Sequence, residues 1–290
     1  MNDAESMRLA LALAERGRGW TAPNPMVGAV IVKDGAVIGQ GWHERYGEPH
    51  AERNALASCT ADPAGATMYV TLEPCCHTGK QPPCTEALIA AGIARVVVGS
   101  RDPNPLVAGK GCEALRAAGI RVDADVLRAA CDELNSVFFH FITHKTPYVV
   151  AKWAMSADGK IACASGDARW ITGPEARVDV HELRHRLAAI CVGIGTVLAD
   201  DPRLLCETPQ LFPPVRVILD RAGRLLDYQD RFVFTDASAP TWLVTTNRAA
   251  TKVDWPAHVT CCKTATGRSY LTTLKKPSCK ASTWRAVPRF

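Results

Sequence analysis

The stretch ATMYVTLEPCCHTGKQPPC (66–84) decides the fold, because it joins a buried strand to a cysteine-rich loop. Its first part, ATMYVTLE (66–73), is rich in β-branched and aromatic residues and ends at Pro74, which predicts a strand followed by a loop. Upstream lies the triplet HAE (50–52), in a segment whose apolar spacing predicts a helix. The sequence therefore predicts a strand and a helix that meet at one site.

The side chains in these two stretches predict a metal site. His50, Cys75 and Cys84 offer one imidazole and two thiolates, a ligand set that suits catalytic zinc with one open position. Glu52 is predicted to be a non-ligand that takes a proton from water and returns it to a leaving amine. His-x-Glu followed by Pro-Cys and a further Cys is the signature of zinc deaminases. A structural zinc site, or no metal, is the alternative interpretation.

The loop between the two cysteines leaves further alternatives open. Cys76 and His77 are alternative ligands, and we favour Cys75 because it directly follows Glu-Pro. His77 and Lys80 would then lie on the loop, where they could bind the anionic group of a substrate or simply face solvent.

Outward from this stretch, strands and helices alternate. VGAVIV (27–32) and AVIGQGW (36–42) flank Asp34-Gly35, a pair that predicts a type I′ hairpin. RVVVGS (95–100) is typical of a buried strand. The spacing of apolar residues predicts helices over 3–18, 50–58, 84–93, 110–120 and 127–143. The alternation predicts an α/β fold with a layered sheet.

A second α/β unit is predicted after Pro147, so the predicted units are 1–145, 146–260 and an atypical tail, 261–290. Pro174 marks a helix start. VGIGTVLADDP (192–202) predicts a strand that runs into a glycine-rich turn, where the backbone can approach a nucleotide phosphate. Further strands are predicted at PYVVAKWAMS (147–156), AAICVGIGT (188–196), PVRVILD (214–220), RFVFT (231–235) and TWLVTT (241–246).

The composition is that of a globular protein, with 47% hydrophobic and 22% charged residues. No apolar run has the length of a membrane span and no signal peptide is visible, so we expect no membrane partner and a cytoplasmic location. The twelve cysteines are then expected to be thiols or metal ligands. Residues 247–290 carry nine of the 34 Lys and Arg residues but one of the 29 acidic residues. The remaining chain is therefore mildly acidic, and we expect no nucleic-acid partner.

Four stretches resemble the deaminase half of the bifunctional deaminase/reductase family of riboflavin biosynthesis: PNPMVGAVIV (23–32), GEPHAE (47–52), YVTLEPCCHTGKQPPC (69–84) and RDPNPLVAGKG (101–111). The resemblance covers essentially residues 1–146. It implies a cytidine-deaminase-like three-layer α/β/α domain that removes the 2-amino group of 2,5-diamino-6-(5-phosphoribosylamino)pyrimidin-4(3H)-one. It also implies Zn²⁺ at His50, Cys75 and Cys84, Glu52 as the proton carrier, and substrate contacts from Asn24, His43, His77 and Lys80.

KWAMSADGKIACASGDARWITG (152–173) is similar to the reductase half of the same family, a dihydrofolate-reductase-like α/β fold that uses NADPH. The family also implies that copies associate through this half. A packing role is the alternative for Trp170. The implied cofactor contacts are Ala154, Trp170, Thr196 and Asp200, the implied substrate contacts are Ala168, Arg184 and Leu204, and Lys152 and Asp200 would lie near the chemistry.

The second half departs from the family pattern. Ala168 stands where a substrate-contacting Ser is usual, and Glu207 replaces a phosphate-binding Arg, where an acid would repel phosphate. A Val-Glu-Ala-Gly segment and a glycine-rich NADP loop are also missing, so we expect an incomplete reductase domain with weak or absent activity. The tail 261–290 has no sustained α or β period, and one hypothesis for it is a shifted reading frame.

Two other functions would use the same residues. A nucleic-acid or nucleoside deaminase shares the zinc signature, but the mildly acidic body without a basic-aromatic stripe argues against nucleic acid. A non-catalytic zinc scaffold that only binds partners would have no use for Glu52. The effect of replacing Glu52 therefore separates an enzyme from a scaffold.

Overall fold

The structure is a computed structural model that describes residues 1–105, 107–207 and 211–263. The chain divides into two compact units, the first covering Met1–Tyr148 and the second beginning at Val149. Among the described residues, no helix combines the length and the apolar character needed to cross a bilayer.

The first unit contains a mixed sheet of five strands in the order β2-β1-β3-β4-β5. Strand β1 pairs antiparallel with β2 and β3, whereas β3, β4 and β5 run parallel. Its elements are α1 (Asp3–Glu15), β1 (Gly28–Lys33), β2 (Ala36–Trp42), α2 (Ala51–Ala57), β3 (Thr67–Leu72), α3 (Cys84–Ala90), β4 (Arg95–Ser100), α4 (Lys110–Ala117), β5 (Arg121–Asp123), α5 (Arg128–Leu134) and α6 (Ser136–His144).

The hairpin between β1 and β2 is the predicted type I′ turn. Asp34 and Gly35 have φ values of 50° and 78°, and both central residues of this turn type need positive φ. The hairpin prediction is therefore confirmed.

Helices cover both faces of this sheet. Successive residues of a strand point to opposite sides, and here both sides carry apolar side chains that need to be buried. Ile31, Val70 and Val98 belong to a core shared with α2, α3 and α4. Their chain neighbours Val30, Tyr69 and Val97 belong to a second core shared with α1 and α5. The predicted three-layer α/β/α arrangement is confirmed.

The helix predicted over 127–143 is instead two helices, α5 and α6, which meet at Asn135. The backbone there has φ −114° and ψ 24°, outside the helical region. The buried Asn135 side chain accepts a hydrogen bond from Met26 N and donates one to Met26 O, both at 2.8 Å. This pairing with a distant backbone segment favours the break, which helical periodicity does not reveal.

The second unit has a parallel sheet in the order β6-β7-β8-β9. Pro174 lies in the first turn of its helix, as predicted. The elements are α7 (Pro174–His185), β6 (Ala189–Gly193), α8 (Ile194–Asp200), β7 (Val215–Leu219), α9 (Phe232–Thr235), β8 (Thr241–Thr245) and β9 (Val259–Lys263), with 3₁₀ turns at Arg224–Asp227 and Ala249–Lys252.

Three predictions for this unit are wrong. The stretch 147–156 forms no strand, because none of the described strands pairs with it to satisfy its backbone groups. RFVFT (231–235) contains the helix α9, whose first N–H, at Phe232, donates to Asp201 Oδ1 at 2.9 Å. The chain after β6 continues as the helix α8 rather than as a glycine-rich turn.

The end of the chain is only partly described. Residues 261–263 belong to β9, which pairs in parallel with β8, although the sequence showed no β period there. The remainder of the predicted tail, 264–290, lies outside the described residues. The hypothesis of a shifted reading frame concerns that part and stays a hypothesis.

Candidate metal centre and active site

The three predicted ligands come from three segments at one edge of the first sheet. His50 is the N-cap residue of α2, and Cys84 is the first residue of α3. Cys75 lies in the loop that follows β3. A strand end and two helix starts thus bring residues together that are far apart in sequence.

The distances between the ligand atoms fit a zinc ion. His50 Nδ1 lies 3.5 Å from Cys75 Sγ and 3.4 Å from Cys84 Sγ. Tetrahedral zinc, with usual bond lengths of about 2.3 Å to sulfur and 2.05 Å to nitrogen, separates these atoms by about 3.6 Å. Among the described residues, this is the cluster of three whose ligand atoms all lie within 4.8 Å of one another, and it contains Cys75 rather than Cys76 or His77.

The two thiols influence each other strongly. Hydrogen bonds from Cys84 and His50 lower the pKa of Cys75 to about 4. The neighbouring Cys75 and burial raise the pKa of Cys84. Two thiolates in contact repel, so a cation between them is the natural partner for this donor set.

Glu52 lies in the first turn of α2 and is buried, with a relative exposure of 3%. Burial is the largest cause that raises the pKa of its carboxyl, and the nearby Cys75 adds to the effect. The carboxyl also hydrogen-bonds with the Cys84 thiol. A carboxyl that is easily protonated beside a metal site suits proton transfer.

A cavity of about 250 Å³ opens over the cluster. Its lining contains two ligands, His50 and Cys75, together with Glu52. All four side chains expected to contact substrate in this unit also line it, namely Asn24, His43, His77 and Lys80. The structure thus brings every residue predicted for the deaminase site to one place, with Cys84 buried beneath.

Hydrogen bonds fix the ring of His43 in a neutral form. Its Nδ1 lies 3.1 Å from Pro49 O, which can only accept, so Nδ1 carries the proton. Nε2 then accepts from Asn24 Nδ2 at 3.3 Å. Burial lowers the pKa of His43, which also favours the neutral ring. His43 and Asn24 therefore form one oriented pair at the cavity wall.

Lys80 and His77 offer polar atoms at the cavity. The Lys80 ammonium lies 3.9 Å from the centre of the Tyr46 ring, a cation–π contact that orients it. His77 Nδ1 is buried and has no hydrogen-bond partner within the described residues. Such a nitrogen suits a polar ligand, because unpaired buried polar groups are costly.

Sequence reasoning missed several polar residues of this cavity, among them Glu73, Asp102 and Asn104. Glu73 directly follows β3, two residues before Cys75, and Asp102 and Asn104 follow β4. Burial raises the pKa of Asp102 to about 6, and its Oδ1 accepts from Asn104 N at 2.8 Å. The available signal was the Asp-Pro-Asn-Pro run at 102–105, which is typical of a loop at a strand end.

The residues implied for the reductase chemistry lie on several segments of the second unit. Lys152 and Ala154 lie in the irregular stretch before α7, as do Ala168 and Trp170. Thr196 and Asp200 lie on α8, and Asp200 O accepts from Arg169 at 3.1 Å. This bond links α8 to the segment of Ala168 and Trp170.

Three side chains of this unit have defined surroundings. Trp170 is 71% exposed beneath the Arg177 guanidinium, which does not match a buried packing role. Arg184 donates to Leu205 O at 3.2 Å. Leu204 is 5% exposed, and its side chain packs in the apolar core away from solvent.

Comparisons with known proteins agree with the geometry. Residues 1–100 match the family described as "Cytidine and deoxycytidylate deaminase zinc-binding region", and residues 147–281 match "RibD C-terminal domain". The chain is similar to a deaminase/reductase of Thermotoga maritima whose crystal structure is known. That likeness has a TM-score of 0.84 and 44% identity, and it covers 91% of this chain and 74% of the other.

Two curated relatives are both called "Riboflavin biosynthesis protein RibD". The protein of Actinobacillus pleuropneumoniae is 54% identical over 220 residues, which is 76% of this chain and 58% of that protein. The protein of Escherichia coli K12 is 44% identical over 272 residues, which is 89% of this chain and 73% of that protein. The chain thus spans about three fifths to three quarters of their length. The likeness extends through both units, and the chain belongs to the RibD family of riboflavin biosynthesis proteins.

Proposed function

We propose that the first unit hydrolytically deaminates 2,5-diamino-6-(5-phosphoribosylamino)pyrimidin-4(3H)-one, a step of riboflavin biosynthesis. The observation that supports it best is the cluster of His50, Cys75 and Cys84 beside the buried Glu52, at the floor of one cavity. The relative from Thermotoga maritima is named as a diaminohydroxyphosphoribosylaminopyrimidine deaminase.

The reaction exchanges an amino group for oxygen. Zinc, when bound by the three ligands, supplies the Lewis acidity that makes water a nucleophile near neutral pH. Glu52 takes a proton from the attacking water and delivers it to the departing amino group, so that ammonia leaves and the ring gains a carbonyl. Its position in the first turn of α2, buried beside the ligands, suits both steps, since the same carboxyl must accept and release the proton.

The cavity wall binds and orients the substrate. The Asn24 amide is held by His43 and can pair with a polar edge of the heterocycle. The unpaired His77 Nδ1 offers a second polar contact. Lys80, held over Tyr46 at the same cavity, suits the phosphate. A small phosphorylated pyrimidine therefore matches the chemistry of the lining.

The alternatives are less well supported. A scaffold that only binds zinc would gain nothing from a carboxyl buried beside the ligands, which is costly to keep there. A nucleic-acid deaminase would need a basic, aromatic surface, and the chain outside 247–290 is mildly acidic. A cytoplasmic enzyme without nucleic-acid or membrane partners, able to associate with its own copies, remains part of this proposal.

For the second unit we propose the family's NADPH-dependent reduction of the ribosyl group. Ala154, Trp170, Thr196 and Asp200 would contact the cofactor. Ala168, Arg184 and Leu204 would contact the substrate, with Lys152 near the chemistry. The exposed ring of Trp170 is available to a ligand. The exposed Glu207, 3.3 Å from His181, would not bind a phosphate. The weak reductase activity expected from the sequence stays a prediction.

The decisive experiment replaces the proton carrier. We expect Glu52→Gln to lower the rate of ammonia release by about 10²–10⁴-fold, the usual contribution of a general acid–base. Zinc content, measured by elemental analysis, should not change. Glu86→Gln is the matched control, since Glu86 lies in the first turn of the neighbouring helix α3 and is exposed. Full activity of Glu52→Gln would refute the proposal.

A further inference from the structure

Glu73 carries a buried carboxylate that the chemistry above does not use. It lies between the end of β3 and Pro74, two residues before the ligand Cys75, and its relative exposure is 4%. Its side chain accepts three hydrogen bonds from backbone N–H groups. Oε2 accepts from Asp102 at 3.3 Å and from Gly109 at 3.0 Å, and Oε1 accepts from Cys112 at 3.1 Å.

Two of these donors, Asp102 and Gly109, bracket one loop, and the third, Cys112, lies in the first turn of α4. The loop begins after β4, which ends at Ser100, and finishes at Gly109, the N-cap of α4. Asp102 and Gly109 stand near its two ends, and both donate to the same oxygen of Glu73. One carboxylate therefore closes the loop, whose residues Asp102, Asn104 and Val107 line the cavity.

The same carboxylate also caps α4. Gly109 has no side chain with which to cap the helix, and the free N–H groups of the first turn need acceptors. Glu73 supplies the acceptor, and its negative charge is favourable at a helix N-terminus. Helix α4 packs closely against the segment of Glu73 and Pro74. A Cβ added at Gly111 would lie only 2.1 Å from Pro74 O and 3.2 Å from Glu73 Oε1.

We propose that Glu73 is a positioning residue of the deaminase site. It fixes the wall formed by Asp102, Asn104 and Val107 at a set distance from the segment that carries Cys75. This role rests on the proposed function, and it concerns the placement of the substrate rather than the binding of the metal.

The test combines kinetics with metal analysis. In Glu73→Gln one oxygen becomes an amide N–H₂ that faces backbone donors, so at least one of the three bonds is lost. We expect KM for the pyrimidine substrate to rise about tenfold, kcat to change less than about threefold, and zinc content to stay the same. Gly111→Ala, which pushes α4 away from an intact Glu73, should raise KM in the same direction.

A second buried carboxylate provides the matched control. Asp220, in the second unit, accepts from the backbone N–H groups of Gly223, Arg224 and Leu225 at 3.0, 3.0 and 2.8 Å. Asp220→Asn should destabilise its own unit and leave the KM of deamination unchanged. Hydrogen exchange should accelerate at the amides of Asp102, Gly109 and Cys112 in Glu73→Gln and not in Asp220→Asn.

The outcomes separate the two proposals. If the unsubstituted chain releases no ammonia, the proposed function fails, and the exchange experiment alone decides the role of Glu73. Unchanged exchange in Glu73→Gln overturns that role in either case. In an active enzyme, an unchanged KM, or a loss of zinc that explains the kinetic defect, overturns it as well.

Discussion

Asn135 is expected to be a large single contributor to the stability of the first unit. Its side chain makes two hydrogen bonds of 2.8 Å to the backbone of Met26, across 109 residues of sequence. Asn135→Ala removes both bonds and leaves the N–H and C=O of Met26 without these partners. At about 1–1.5 kcal/mol for each bond, the free energy of unfolding should fall by about 2–3 kcal/mol.

A second substitution at the same position sharpens the prediction. Asn135→Asp keeps an acceptor for Met26 N but places a carboxylate oxygen against Met26 O. Because two acceptors repel, this variant should be at least as unstable as Asn135→Ala at pH 7. It should recover part of the loss in acid, where a protonated carboxyl can donate to Met26 O.

The assay must report on the first unit alone. Urea unfolding can be followed through the metal released to a colorimetric chelator, since the ligand cluster lies entirely in that unit. Glu133→Ala is the comparison, because Glu133 is exposed on the same helix α5 and should change stability by less than about 0.5 kcal/mol. If the two alanine variants unfold at the same urea concentration, the reasoning about Asn135 is wrong.

Three further predictions follow from individual contacts. Gly28→Ala should lower the free energy of unfolding of the first unit by about 1–3 kcal/mol in urea, because the new Cβ would lie 1.9 Å from a carbonyl oxygen of α1. Gly35→Ala meets no neighbouring atom and should lower it by only about 1–2 kcal/mol, through its positive φ. Burial lowers the pKa of His258, so the unfolded chain binds the proton more tightly, and the second unit should lose stability as pH falls below about 6.5. Calorimetry should show a shallower loss in His258→Gln, and an equal loss would contradict this cause. Tyr46→Leu should raise KM for the phosphorylated substrate more than Tyr46→Phe does, since only phenylalanine keeps a ring beneath Lys80, and equal KM values would exclude the contact.

The metal centre could be predicted because its signals are local. Pro74 ends the strand before Cys75, and His-x-Glu lies at the start of a helix. In both cases a few adjacent residues indicate the backbone conformation that carries the side chains. The turn at Asp34-Gly35 was predictable for the same reason, since positive φ at both positions is a property of two adjacent residues. The three-layer core then follows from the alternation of apolar residues along β1, β3 and β4.

The remainder depends on contacts between distant residues. RFVFT has the composition of a strand, yet Asp201 caps it as a helix from 31 residues away. The break at Asn135 depends on Met26, and the polar wall at Asp102 depends on Glu73. In each case the deciding partner lies on another element, which no window of local sequence contains.

The stretch 147–156 is a further case in which local sequence does not decide the structure. Its run of apolar residues satisfies the pattern of a buried strand, but a strand also needs a neighbour for its N–H and C=O groups. None of the described strands supplies one. Residue pattern alone therefore predicts the capacity to form a strand and not the pairing.

The ligands of the metal centre come from one helix start, one loop and a second helix start, so the site exists only once these segments have assembled. An ion that binds the assembled state alone shifts the folding equilibrium by mass action, by about 2.7 kcal/mol at a hundredfold excess over its dissociation constant. Scarcity of zinc should then reduce the abundance of the polypeptide in a cell as well as its turnover number, because proteases remove the unassembled chains.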